Sequence, residues 1–284
     1  MKRNKTHIHW YPGHIAKAER KLKEQLSLVD AVIEVVDARL PESSMYDNIT
    51  GLLKDKPRLI LLNKSDLTDK NELKKWISSL EEKYNAPIFL SDAKNSKDLN
   101  KIVKKAVELS EPRIQAIMKK GLLRRPARVM VVGMPNVGKS SIINKLTRSS
   151  KTKTGAKAGV TRQQQWVRIN PQLDLLDTPG IIPMRQDDQN AALKLAFVNG
   201  VSENAYSNEP VAQDLLDMLD EKYSSVVRAY YGIEEDELTL DNIALKRNWI
   251  ISGGSPDVTR TAAYVLRDFR EGKIGKFILD DFEG

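Results

Sequence analysis

The feature that most narrows the fold is the segment Gly133-Met134-Pro135-Asn136-Val137-Gly138-Lys139-Ser140. It follows a short apolar run, residues 129–132, and opens the helical pattern of 140–146. Strand, glycine-bearing loop and helix in that succession make a phosphate loop. Its backbone N–H groups wrap phosphates while the helix N-terminus turns partial positive charge toward them. Lys139 would reach the β- and γ-phosphates and Ser140 would bind Mg²⁺, with Pro135, Asn136, Val137, Gly138 and Ser141 completing the loop.

Such a loop needs its strand inside a sheet, and the chain supplies neighbours. Apolar runs at 31–36, 58–62, 86–90, 166–169 and 173–176 read as strands, and helical periodicity marks 15–28, 71–83 and 99–109. Strands alternating with helices give an α/β fold with an open, mostly parallel sheet covered on both faces. From about residue 189 only helical patterns remain, at 190–199, 211–221 and 259–269. The expected division is a nucleotide-binding domain over 1–187, with a basic N-terminal arm, and an all-helical domain over 188–284. With 284 residues there is chain enough for both, and no internal repeat is present.

Two further motifs belong beside the phosphate loop. Asn63-Lys64-Ser65-Asp66 directly follows the 58–62 strand. A carboxylate at Asp66 can accept both N1–H and the exocyclic amine of guanine, a pattern adenine lacks, so the substrate is GTP rather than ATP. Ser91-Asp92-Ala93-Lys94 ends the next strand and fits the loop that covers the base from its other side. Asp177-Thr178-Pro179-Gly180 follows the 173–176 run, which puts a Mg²⁺-associated carboxylate at Asp177 and a γ-phosphate-sensing N–H at Gly180. Thr161, in Gly159-Val160-Thr161-Arg162, is the candidate switch threonine that meets Mg²⁺ only in the triphosphate state.

The order of these motifs is unusual: base-reading, base-covering, phosphate loop, switch threonine, Mg²⁺ aspartate. A Ras-like protein begins with the phosphate loop. The rotated order resembles the circularly permuted GTPases, and among them the bacterial YlqF/RbgA family of ribosome biogenesis GTPases. Trp10-Tyr11-Pro12-Gly13-His14, Asp37-Ala38-Arg39-Leu40-Pro41 and the region from Arg260 to Gly275 match that family too, so the likeness spans nearly the whole chain. It implies a circularly permuted Ras-like domain followed by a small helical domain, and action on the large ribosomal subunit and its rRNA during assembly. In the rotated order the segment after Gly180 leads straight into the helical domain, which wires loss of the γ-phosphate to it.

The glutamine that orients water in Ras-like proteins is absent: Ile181 and Ile182 stand there, and an aliphatic side chain can do neither half of that work. The resemblance offers two replacements. His14 is thought to swing toward the γ-phosphate in similar proteins, and an imidazole can orient water or relay a proton near neutral pH; alternatively it caps the N-terminal helix. Asn136 binds an activating K⁺ in similar GTPases; alternatively it serves only a tight backbone turn. His7 and His9 lie nearby without a carboxylate among them for a metal.

Charge speaks to the partner. The net charge is +8, and residues 112–173 contain fourteen lysines and arginines and no acid, whereas 203–241 is acidic. That segregation is the footprint of a polyanion binder. On sequence alone the C-terminal bases, Arg260, Arg267, Arg270, Lys273 and Lys276, are offset by acids. The absence of cysteine fits a reducing cytoplasm, and the basic N-terminus lacks the apolar core of an export signal. A cytoplasmic monomer is expected, without membrane or DNA as partners. The same residues allow two rivals: a regulatory GTPase of a protein partner without RNA, and an RNA-binding scaffold that holds GTP but hardly turns it over.

Overall fold

A computed structural model describes residues 6–8, 20–45, 49–92, 99–149, 165–177 and 188–282. The chain forms two compact units, Tyr11–Arg185 with Ile278–Gly284, and Met1–Trp10 with Gln186–Phe277.

The first unit is built on six strands: β1 (Ala31–Asp37), β2 (Arg58–Asn63), β3 (Ile88–Leu90), β4 (Ala127–Val132), β5 (Gln165–Asn170) and β6 (Leu173–Asp177). Their order is β3-β2-β1-β4-β6-β5. Every pairing is parallel except β5 with β6, so the expected mostly parallel sheet is present. All seven residues of β1 and all six of β2 are buried, which means both faces of these strands are covered. That is why their apolar runs are continuous rather than alternating. The charged exceptions are paired: Glu34 in β1 meets Arg58 in β2 at 2.8 Å.

Among the described residues of this unit, 20–26 are helical, and four further helices are α1 (Ile49–Leu53), α2 (Lys70–Tyr84), α3 (Leu99–Lys119) and α4 (Lys139–Ser149). Asp69 starts α2 by accepting hydrogen bonds from the backbone N–H of Asn71 at 2.8 Å and Glu72 at 3.0 Å. Leu73, Trp76 and Leu80 of α2 then pack in one apolar cluster with Val36, Ile60 and Leu62. Helix α3 runs ten residues beyond the 109 expected from sequence and carries Pro112 inside it. A proline forfeits one backbone hydrogen bond and crowds the preceding turn. Here the helix continues because Ile114 is buried and Arg113 reaches Asp30 at 3.3 Å.

The second unit contains α5 (Gln189–Phe197), α6 (Asn208–Tyr231), α7 (Leu240–Lys246) and α8 (Val258–Arg270). Helix α6 is kinked at Tyr223, whose φ of −136° and ψ of 35° lie outside the helical range, and apolar residues on both sides of the kink are buried. Seven-residue α7 is too short to show a period in sequence; Thr239 caps it by accepting from Asn242 N at 3.2 Å. Residues 6–8 belong to this unit. Ile8 is fully buried, its N–H donates to Gln189 Oε1 at 2.9 Å, and Thr6 N donates to Asp214 at 2.9 Å. No helix among the described residues is long and apolar enough to cross a membrane.

Candidate functional site

In parallel strands the C-terminal ends share one edge of the sheet, and there the loops of β1, β2, β3, β4 and β6 converge. The base-reading residues leave β2 through Asn63, the last strand residue, and Lys64, which takes a left-handed backbone with φ of 61°. Ser65–Leu67 then forms a single 3₁₀ turn that carries Asp66, half-buried, at its centre.

The phosphate loop leaves β4 with Gly133 at φ 151° and passes Asn136 at 57° and Gly138 at 101°, then enters α4 at Lys139. These backbone values explain the glycines. A Cβ on Gly133 would fall within clash distance of the Val35 carbonyl oxygen, and one on Gly138 would strike the Asn63 amide. They also give Asn136 a backbone reason of its own, since asparagine tolerates the left-handed region better than most residues. Lys139 is buried and its ammonium donates to the carbonyls of Gly133 at 2.8 Å and Met134 at 2.7 Å. Ser140 and Ser141 are exposed on the first turn of α4, Val137 is buried beneath the loop, and Pro135 is half-exposed.

Motifs some seventy residues apart in sequence are joined directly. Asn63 donates its side-chain amide to the Val137 carbonyl at 2.7 Å, and Lys64 donates to the Asn136 carbonyl at 2.9 Å. The base-covering loop closes on the same turn. Ser65 donates through both its N–H and its hydroxyl to the Ser91 carbonyl, each at 3.1 Å, and Ser91 N donates to the Leu62 carbonyl at 2.9 Å. Lys145 of α4 donates to the Asp92 carbonyl, so the helix behind the phosphate loop also holds the base-covering segment. Asp92, which stands where a serine or threonine is usual, contributes its backbone oxygen to that link. Asp177 closes β6 in register with Val131 of β4, which places its backbone beside the strand that feeds the phosphate loop. His14, Ala93, Thr161 and Gly180, and the Asp177 side chain, lie outside the described residues.

Asp37 and Arg39 enter the sequence reading only through the family likeness, yet they hold the centre of this edge. Asp37 is fully buried; Arg39 donates to it from Nε at 3.0 Å and from the second guanidinium nitrogen at 2.9 Å, and Lys64 donates to the same carboxylate at 2.8 Å. Burial alone would raise the carboxyl, but the charges of Arg39 and Lys64, with their hydrogen bonds, outweigh it and hold Asp37 well below its ordinary 3.8. A buried Asp-x-Arg at the end of a hydrophobic strand is the sequence signal that could have found this pair, since charges there must be partnered.

Because its folded value is lowered, Asp37 stabilises the fold fully above its ordinary pKa, and that contribution is lost as pH falls through the lower folded value. Asp37→Asn should therefore cost about 3–5 kcal/mol at pH 7, since it leaves two cations around a neutral buried amide. In denaturant titrations the gap between the two proteins should begin to narrow below about pH 4 and persist in part at pH 3.

The site's donors suit a nucleoside triphosphate. A buried ammonium sits inside the loop, two exposed hydroxyls open the helix behind it, and the buried Ser91 hydroxyl next to the base-reading turn has no hydrogen-bond partner among the described residues. Among the described residues no group of three histidine or acidic side chains is placed to hold a metal on its own. A Mg²⁺ here would come with the phosphates, beside the exposed Ser140 hydroxyl on the first turn of α4, and would neutralise charge on the transferred group.

Comparison with known proteins decides the family. Residues 128–248 match the model of the 50S ribosome-binding GTPases. The chain is 38% identical over 272 residues to ribosome biogenesis GTPase A of Bacillus licheniformis, covering 94% of this chain and 96% of that protein. The chain belongs to the ribosome biogenesis GTPase A family. Two solved structures of YlqF, one of them named as from T. maritima, are similar in fold. The GDP-bound form has a TM-score of 0.65 at 26% identity, covering 93% of this chain and all of that one. The GNP-bound form has 0.63 at 27%, covering 94% and all. As a ribosome biogenesis GTPase of this family, the protein is a GTP phosphohydrolase with the circularly permuted α/β domain and helical C-terminal part expected from its motif order.

Proposed function

We propose that this GTPase serves the assembly of the large ribosomal subunit, hydrolysing GTP to GDP and phosphate at a rate raised by the particle. The carrying observation is the clasp of Asn63 and Lys64 on the phosphate loop. It sets Asp66, the guanine reader, at a fixed place relative to Lys139 and Ser140. The large-subunit reading is supported by the match to the 50S ribosome-binding GTPase model.

In this reading Asp66 accepts from guanine, Ser65, Ser91, Asp92 and Ala93 flank the base, and Pro135, Asn136, Val137, Gly138, Lys139, Ser140 and Ser141 take the phosphates. Gly180 senses the γ-phosphate. Ser140, Thr161 and Asp177 hold Mg²⁺, Asn136 holds an activating K⁺, and His14 orients the attacking water in place of the missing glutamine. Ile8, six residues before His14, is fixed on both sides by Gln189, its N–H donating to that side chain at 2.9 Å and its carbonyl accepting at 3.4 Å. Ile8 is thus tethered to the first residue of α5, nine residues beyond Gly180 in sequence.

The electrostatic case for rRNA is redistributed by the structure. Arg113 and Arg125 both pair with Asp30, Arg124 with Glu111 and Arg168 with Asp174, while Lys139 and Lys145 are occupied by backbone carbonyls. Part of the charge of the acid-free stretch is therefore paired within the chain. Arg270 is too: it donates to the carbonyls of Phe197 and Ala196 at the end of α5, each at 3.0 Å. What favours RNA in the helical unit is a cation–aromatic ladder on α8. Arg267 lies 4.0 Å over Tyr264, and Arg260 lies 4.9 Å over Trp249 and 5.7 Å over Tyr264. Guanidinium planes and aromatic rings of that kind stack on unpaired bases. The absence of cysteine supports a cytoplasmic site of action, and we propose a monomer.

GTP turnover with and without purified large subunits tests this in one series. In K⁺ the particle should raise the rate roughly tenfold or more; His14→Ala should bind the particle normally and lose about 100-fold of the stimulated rate. Exchange of K⁺ for Na⁺ should slow both rates. A rate indifferent to the particle would remove the ribosome from the proposal, and a His14→Ala variant with full stimulated turnover would remove the histidine.

A further inference from the structure

The last residues of the described chain return to the nucleotide-binding unit and dock behind its site. Ile278 is fully buried in the cluster of Val36, Ile60 and Trp76. Leu279 N donates to the Arg39 carbonyl at 2.9 Å, and Phe282 meets Trp76 edge-on with centroids 5.2 Å apart. Asp280 is buried, and its carboxylate accepts three hydrogen bonds from one loop: Glu42 N at 2.9 Å, Ser43 N at 2.9 Å and Ser43 Oγ at 2.5 Å.

That loop begins with the buried pair. Asp37 N donates to Ser44 Oγ at 3.0 Å, Leu40 N donates to the Asp37 carbonyl at 2.9 Å, and Ala38 N donates to the Asn63 carbonyl at 2.8 Å. Arg39 fixes the Asp37 carboxylate, which receives Lys64, which in turn reaches the phosphate loop at Asn136. Lys64 is the member with the most to lose. Its left-handed backbone, with φ of 61°, is disfavoured for a residue with a Cβ and persists only because its surroundings over-determine it. A loop free to shift by a fraction of an ångström would carry Asp37 with it and release the ammonium from the Asn136 carbonyl.

We infer that residues 278–282 are a working part of the nucleotide site, with Asp280 as a positioning residue that holds Lys64 on the phosphate loop through the 37–45 segment. The inference rests on reading residues 63–66 and 133–140 as the GTP site. Its consequence is that nucleotide affinity depends on a segment that touches no nucleotide and lies more than two hundred residues from Lys64 in sequence.

A double-mutant cycle on the full-length protein tests it, with the dissociation constant of a fluorescent GDP as readout. Asp280→Ala should weaken GDP binding about tenfold, while Asp280→Asn, which keeps one acceptor oxygen, should recover part of that loss. Lys64→Met should weaken binding on its own. In the Lys64→Met background the Asp280→Ala change should then cost less than about twofold, because the residue it acts through is already gone. Phe282→Ala loosens the tail from Trp76 without removing the carboxylate; it should shift affinity in the same direction, and it serves if Asp280→Ala does not fold. Unchanged GDP affinity in a folded Asp280→Ala or Phe282→Ala protein would overturn the inference, as would a full tenfold loss in the Lys64→Met background. If Lys64→Met itself left GDP binding untouched, the assignment of residues 63–66 to the site would fail first.

Discussion

Asp66→Asn should convert this GTPase into a xanthosine nucleotide binder. In the proposed site the carboxylate accepts two donors from guanine, and an amide would offer one acceptor and one donor in their place. Charge-assisted hydrogen bonds contribute roughly 1.5–3 kcal/mol each, so GDP and GTP affinity should fall by at least about 100-fold. Xanthine carries a carbonyl where guanine has its amine, which suits the new donor, so xanthosine diphosphate should bind the variant better than GDP does. Folding stability should hardly move, since Asp66 is half-buried on a 3₁₀ turn and its neighbour Ser65 keeps its bonds to Ser91. Competition titrations with the two diphosphates decide the matter. Weakened GDP binding with no gain for the xanthosine nucleotide would mean that Asp66 supports the turn rather than reads the base.

The second large effect is expected at Gly133. A methyl group there meets the Val35 carbonyl oxygen, which belongs to the fully buried β1 and cannot retreat, and the φ of 151° is closed to an alanine in any case. Gly133→Ala should therefore cost on the order of 3 kcal/mol or more and abolish measurable nucleotide binding, as the loop withdraws from β1. Gly138→Ala is strained too, at φ 101°, but it meets a side-chain amide, that of Asn63, which can turn aside. It should lose less stability but break the Asn63–Val137 hydrogen bond, so its defect should be in affinity. Equal losses of stability in the two variants would contradict this account. Chemical denaturation beside GDP titration separates them.

The sheet was readable because its strands are buried on both faces: continuous apolar runs such as Leu59 to Leu62 have few other uses in a chain of this composition. The loop chemistry was readable because glycine, lysine and serine at fixed offsets are demanded by a phosphate, whatever the order of the strands. The full length of α3 was hidden by Pro112, which sequence rules treat as a stop and which buried Ile114 and the Arg113–Asp30 pair override. How many of these charges are paired within the fold was hidden as well. Arg124, Arg125 and Arg168 look like a patch for a polyanion, and each finds an acid that lies elsewhere in the chain or on the facing strand. The return of 278–282 to the sheet was invisible because tertiary pairing between residues 39 and 279 leaves no local pattern. The rotated order, by contrast, was legible from motifs alone, and the strand order β3-β2-β1-β4-β6-β5 accommodates it with the base-reading strand two places from the phosphate strand.

One placement in that sheet bears on how the protein comes off its own ribosome. Strand β1 lies between β2 and β4, and its residues 31–34 are matched with 129–132 across the ladder. Some ninety residues of nascent chain must therefore emerge after β1 before its second edge can be covered. During that interval a largely apolar strand presents an open row of hydrogen-bonding groups, the condition under which nascent chains pair wrongly or recruit a chaperone. In a member of a ribosome biogenesis family, the rotated topology thus lengthens the interval in which β1 stands half-paired at the polypeptide exit.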